Sequence, residues 1–177
     1  ASKPDVVVRR VSPQRHFADT YTRAATRSTV GRRKEQPIVV ALQQQLEAKG
    51  HHVEVHEYVE RGKKMAKARC DLLDRTSRTL YEAKGKADVR SVNEAIGQLF
   101  WYSYLEHAAG EEGLARTLLL PEEEVAELDD WRRGFLAYLE EQGVLRVATV
   151  PCRRAGESAG ASTRSSVNVS GIELTVE

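Results

Sequence analysis

Cysteine is nearly absent: Cys70 and Cys152 are the only two in 177 residues, far apart and without metal-ligand spacing. That excludes a disulfide scaffold and a zinc finger, and it points to a reducing, cytoplasmic setting. No apolar run comes near the roughly 18 residues that a membrane span requires, and the N-terminal segment has no apolar block of the signal-peptide kind. Internal repeats are lacking, and no Ser or Cys stands in a recognisable nucleophile motif. What is present is 41% hydrophobic and 30% charged residues in 19.8 kDa, enough to bury one core. The expectation is one domain, or one domain with tails. Because the chain starts at Ala1, it reads as a trimmed chain or a piece of a longer protein.

A net charge of +1 conceals an internal polarity. Ala1 to Lys34 holds nine Lys or Arg against two Asp, a balance of +7. Glu60 to Arg90 holds ten basic and five acidic residues, or +5, whereas Glu111 to Gln142 holds three Arg against ten acids, or −7. Such a chain could turn a basic face to a polyanion and keep an acidic far side, although charge runs also mark ordinary solvated helix faces.

Periodicity divides the chain into a basic N-terminal arm or docking segment (1–34), a core (35–152) and a flexible tail (153–177). The arm has room for a short helix around His16 to Thr26. Pro37 suits a first helical position, with Ile38, Val39, Leu42 and Leu46 at helical spacing until Lys49-Gly50. Val53 and Val55 alternate with polar residues as a strand near His52 to Tyr58. Lys67 to Asp74 and Thr79 to Lys84 read as a hairpin turning around Arg75 to Arg78. Ser91-Val92-Asn93-Glu94 has capping-box spacing and opens a helix to about Glu106. A strand at Leu114 to Leu120, a long acidic helix at Glu123 to Gln142 and a strand at Val144 to Val150 complete the core. In the tail, Ile172, Leu174 and Val176 alternate as an edge strand would. This order predicts an α/β fold with a mixed sheet and helices on both faces.

The hairpin carries the chemistry. With its turn between Thr76 and Ser77, opposed residues have numbers summing to 153, which sets Asp71 directly across from Glu82. Like charges about 5 Å apart at Cβ destabilise a sheet, and a divalent cation between two carboxylates relieves them. Hard oxygen ligands of this number favour Mg²⁺, which keeps several waters and takes phosphate oxygens beside one or two carboxylates. Lys84 shares the face of Glu82. A metal-polarised water next to that ammonium is a plausible nucleophile for a phosphodiester. The alternative is a surface ion cluster in which Lys84 neutralises both acids.

Asp71, followed by Glu82-Ala83-Lys84 on the next strand, resembles the PD-(D/E)XK nuclease signature of restriction-endonuclease-like folds. Gln98-Leu99-Phe100-Trp101-Tyr102 resembles the Gln-x-x-x-Tyr motif of the RecB-like branch of that superfamily. Gln98 and Tyr102 share one helix face, which Glu94 and Arg90 extend backwards. The resemblance covers about Arg32 to Val150, and Cys70 stands where the signature has proline.

The resemblance implies a restriction-endonuclease-like mixed central sheet flanked by helices. It also implies a metal-dependent deoxyribonuclease acting in restriction and defence or in DNA repair. Asp71 and Glu82 would bind Mg²⁺, with Mn²⁺ as a substitute, and Lys84 would orient or activate the attacking water. Gln98 and Tyr102 would position the substrate backbone or support the site. The family's Glu on the first core helix falls on Glu35, with Glu47 as the rival. Lys63, Lys64, Lys67, Arg69, Lys86 and Arg90 flank the hairpin as candidate DNA-phosphate contacts. A homodimer, or a fused or partner domain, would supply specificity or a second cut. A catalytically silent nuclease-like module binding nucleic acid or a protein is the runner-up, and an acidic docking helix the third reading. His51, His52 and His56 read as a solvated or half-buried strand edge without acidic partners, and Cys70 as a buried strand residue.

Overall fold

Strand β1 (Val6–Val11) opens the chain, followed by helix α1 (Thr29–Ala48) and strands β2 (Val53–Glu60), β3 (Ala68–Arg69), β4 (Leu72–Asp74) and β5 (Thr79–Ala83). Helix α2 (Val89–Ala108) and strand β6 (Ala115–Pro121) come next. Helices α3 (Glu122–Ala126) and α4 (Asp130–Glu141) precede strands β7 (Arg146–Val150), β8 (Asn168–Val169) and β9 (Ile172–Glu173). This computed structural model describes residues 6–11, 29–62, 68–151, 168–169 and 172–173. The expected helix at 16–26, Lys63, Lys64, Lys67, Cys152, Leu174 and Val176 lie outside the described residues.

The described strands form one sheet in the order β1-β2-β4-β5-β6-β7-β8-β9, with β3 also paired to β2. Pairing is parallel between β5 and β6 and between β6 and β7, and antiparallel elsewhere. The chain is thus α/β with a mixed sheet. Parallel neighbours need crossover connections, which α2 supplies between β5 and β6, and α3 with α4 between β6 and β7.

Side-chain alternation sorts the core into two layers. Leu73, Leu80, Leu118 and Leu120 pack with Val92, Ala95, Leu99, Tyr102 and Leu105 of α2 and with Leu136 and Leu139 of α4. Leu72, Tyr81, Ala83, Leu119 and Ala148, one residue out of phase, pack with Ile38, Val39, Leu42 and Leu46 of α1. All five residues of β5 are buried, as a central strand covered on both faces requires.

Several boundaries depart from expectation. Pro37 lies inside α1 rather than at its start. Proline's φ fits a helix, and only one backbone hydrogen bond is forfeited there. The strand expected from Lys67 to Asp74 is split, because Cys70 and Asp71 leave the ladder between β3 and β4. The cap of α2 is Asp88, whose carboxylate accepts from the Ser91 N–H at 2.8 Å, not Ser91 itself. The long acidic helix is two helices, since Asp129 accepts from the Arg132 N–H at 2.8 Å and restarts the second. Trp131, in the first turn of that second helix, is 85% exposed. Leu128, Arg132 and Phe135 line one small cleft with Ala87, Val89 and Val92, so the second helix packs beside the start of α2.

Candidate functional site

The hairpin turn fixes the site. Asp74 is fully buried and accepts from the Thr76 N–H at 2.9 Å, the Ser77 N–H at 3.3 Å and the Ser77 hydroxyl at 2.6 Å. Arg78 completes the turn with φ 55°. The resulting pairs, Leu72 with Tyr81, Leu73 with Leu80 and Asp74 with Thr79, keep the expected register. Carried one step further, it brings Asp71 beside β5, where its Oδ2 accepts from the Ala83 N–H at 2.8 Å.

Glu82 and Lys84 are buried rather than forming a surface ion cluster. Lys84 Nζ donates to Glu82 Oε1 at 2.9 Å and to Gln98 Oε1 at 2.5 Å, and it stands 3.7 Å from Glu94 Oε1. The Gln98 Nε2 in turn donates to the Tyr102 hydroxyl at 3.4 Å. One face of α2 thereby holds the ammonium from above while β5 holds it from below. Glu35 joins from α1, on the other side of the sheet. Its carboxylate accepts from the backbone N–H of Gly85 and feels the charges of Lys84, Asp71 and Glu94. Its rival Glu47 is exposed and accepts from Gln43 Nε2 at 2.8 Å.

The electrostatics follow from burial. Desolvation, then the charge of Asp71, pushes the Glu82 pKa well above the carboxylate range, and Lys84 offsets only part of this. Desolvation likewise raises Glu35. Burial alone would lower Lys84, but the carboxylates of Glu82, Glu35 and Glu94 outweigh it and keep the ammonium charged. Desolvation, then Glu82 and Asp71, raises the Tyr102 phenol, which stays protonated.

Glu82 Oε2 is buried without a hydrogen-bond partner. Buried carboxylate oxygens are costly unless paired, and a cation is one partner that would satisfy this one. Among the described residues no three His, Cys, Asp or Glu side chains form a ready-made metal cage. Two carboxylates suffice for Mg²⁺ when phosphate oxygens and waters complete the shell, so the donor set of Asp71 and Glu82 suits a hard ion such as Mg²⁺ or Mn²⁺ better than a softer one such as Zn²⁺ or Cu²⁺.

Of the candidate phosphate contacts, Lys86 and Arg90 are exposed at the head of α2. Arg69 instead pairs with Glu57, its cross-strand neighbour.

A second buried cluster overturns the reading of the histidines. His56 is only 2% exposed, with Nδ1 2.6 Å from Glu106 Oε1 and Nε2 2.8 Å from Glu54 Oε2. His52 also reaches Glu54, at 3.0 Å, and His51 reaches Asp74 at 2.6 Å. Glu54 lies on β2 itself, two residues from each of His52 and His56, and was legible there, whereas Asp74 comes from β4 and Glu106 from α2, which spacing along β2 could not reveal. The Tyr58 hydroxyl donates to Glu106 at 2.8 Å, and its ring stacks on Tyr102 at 5.5 Å. Glu106 was legible in principle, because Glu94, Gln98, Tyr102 and Glu106 recur every four residues along one helix face. Cys70 is fully buried as expected, and burial pushes its thiol pKa far up.

Compared with models of known protein families, with curated proteins and with solved structures, the chain finds no match.

Proposed function

We propose that this chain is a Mg²⁺-dependent deoxyribonuclease of the PD-(D/E)XK type, hydrolysing phosphodiester bonds at the Asp71, Glu82 and Lys84 site. The observation that supports the reading most is the buried Glu82–Lys84 pair, tied to Gln98 and left with one unpartnered carboxylate oxygen. A surface ion cluster would need neither the burial nor the helix contacts.

Asp71 and Glu82 would hold the Mg²⁺, which when bound supplies a Lewis acid for the phosphoryl oxygens and the attacking water. The protein's own groups divide the remaining work. Lys84 stays an ammonium, so it cannot accept the proton of the water. It acts as a donor and a positive charge facing the negative charge that builds on the phosphoryl group. Gln98 fixes Lys84 by accepting from it, and the same amide donates to Tyr102. That leaves the Tyr102 O–H proton available to a phosphate oxygen. Glu35, with its proton affinity raised, is the group on hand to take the proton of the water. In the balanced step the water oxygen bonds to phosphorus as its proton passes to Glu35, one P–O ester bond breaks, and the departing oxygen takes a proton from solvent, to which Glu35 returns its own. Lys86 and Arg90 would fix the flanking phosphates without reading sequence.

Cleavage of linear, circular and single-stranded DNA with Mg²⁺, Mn²⁺ or EDTA tests the reading. Lys84→Ala should lower the rate by about 10²-fold or more while leaving the far-UV spectrum unchanged. Full activity in Lys84→Ala would overturn the mechanism. Binding without cleavage under any metal would make the chain a binding module.

A further inference from the structure

Helix α2 has a second face, and it is aromatic. Phe100, Trp101 and Tyr104 are 43%, 51% and 46% exposed, which places three large rings in solvent within two turns. Trp101 and Tyr104 lie 5.8 Å apart, and the Arg116 guanidinium sits 4.1 Å from the centroid of Phe100. The rings surround Gly97, which precedes them by three, four and seven residues and so shares their face. A Cβ built at Gly97 would meet nothing within 4 Å, so no internal packing calls for glycine there. Mid-helix glycine nevertheless costs stability relative to alanine. What it provides is a bare strip of helix between the rings and Glu94, whose carboxylate is 3.7 Å from Lys84.

We propose that this face is a stacking platform for the bases of an unpaired DNA strand whose phosphate lies at Lys84. The inference rests on the nuclease reading for the position of that phosphate and on the aromatic face for the bases. Single strands are bound sequence-tolerantly by aromatic rings that take the base faces and by cations that follow the backbone. Both are present: the rings form a stripe beside the face of Gln98, with Trp101 three residues after it, while Arg116 lies over one ring and Lys86 and Arg90 stand exposed where α2 begins. Arg116 beside a ring would suit a protein partner equally, but the exposed Lys86 and Arg90 at the Lys84 end of the helix offer phosphates a track that a protein partner or second copy does not need.

The chain has two tryptophans, so a Trp131→Phe background leaves Trp101 as the sole indole reporter. In EDTA, an oligothymidylate of about 12 nucleotides should quench Trp101 emission saturably, and a duplex of equal length should do so far less. Tyr104→Ala and Phe100→Ala should each weaken single-strand affinity about tenfold. Gly97→Ala is the control for folding, since it should raise Tm yet weaken the strand, two effects that a purely structural role would not separate. Metal-dependent cleavage with Trp101 emission unmoved by the oligonucleotide would overturn the platform and leave the nuclease standing. Quenching without cleavage would support the platform and sink the nuclease. Concentration-dependent self-association abolished by Trp101→Ala, with no quenching, would assign the face to a second copy and overturn the proposal.

Discussion

Glu82 has one oxygen on Lys84 and another on nothing, with Asp71 close enough to raise its proton affinity. The side chain is therefore poorly satisfied in the metal-free protein and would gain most from a cation. A ligand that binds only the folded state stabilises it by mass action. At a tenfold excess over its Kd, Mg²⁺ should contribute about 1.4 kcal/mol, or roughly 4 °C in Tm for a chain of this size. Glu82→Gln and Asp71→Asn should each remove that shift, because both substitutions delete a charged ligand and keep the side-chain volume. Scanning calorimetry with Mg²⁺ and with EDTA reads it directly. An undiminished shift in both variants would place the cation elsewhere. Lys84 belongs to the same logic: replaced by alanine, it removes the one positive charge among Glu82, Glu35 and Glu94, so Mg²⁺ affinity should rise even as cleavage is lost.

Among the elements, the β4–β5 hairpin decides the most, and Asp74 decides the hairpin. Its carboxylate gathers two backbone N–H groups, the Ser77 hydroxyl and His51 around a four-residue turn. Asp74→Ala should cost about 2 kcal/mol in denaturant unfolding, since the turn donors can turn to water and only part of the hydrogen bonding is lost. Activity should fall further than stability explains, because a one-residue slip would carry Asp71 to the opposite face. Asp74→Asn, which keeps an acceptor oxygen, should fall between the two; a variant with wild-type stability in Asp74→Ala would refute this role. The hairpin was legible in the sequence because its information is local: turn residues, alternation and a fixed register within fifteen positions. Gln98 and Tyr102 were legible for the same reason, as a spacing of four defines a helix face without reference to the rest of the fold. Where the partner is distant, legibility ended. The strand Val6–Val11 pairs with residues some fifty positions away and lacks alternation of its own. The contact of His56 with Glu106 likewise exists only because α2 crosses β2. The break at Asp129 was hidden because acidic helical spacing continues through it, and only the cap shows where one helix ends.

Across the molecule, the buried ionisable groups oppose one another and so set a pH of greatest stability. Burial pushes Asp74 and Glu54 up, but hydrogen bonds from Ser77 and His51 to the first, and from His56 and His52 to the second, hold them below their ordinary 3.8 and 4.5. Their contribution is complete above those ordinary values and is lost as pH falls through the depressed ones. His56 has the opposite sign. Burial would lower it, yet the bonds to Glu106 and Glu54 raise it above 6.5, so its contribution is complete below 6.5 and is lost as pH rises through the raised value. Glu82 acts in the same direction as His56, because its raised pKa makes the ionised form unfavourable in the native state at any pH above its ordinary 4.5. In EDTA the Tm should therefore peak between pH 4.5 and 6.5 and decline toward alkaline pH. His56→Gln should flatten the alkaline decline, since a neutral amide has no proton to lose between Glu54 and Glu106. A wild-type Tm that keeps rising above about pH 7.5 would contradict the assignment of His56 as a buried imidazolium. Saturating Mg²⁺ should lift the alkaline side of the curve more than the acid side. There the proposed cation would meet ionised carboxylates at Asp71 and Glu82, whereas at acid pH it would first have to displace the proton that burial holds on Glu82.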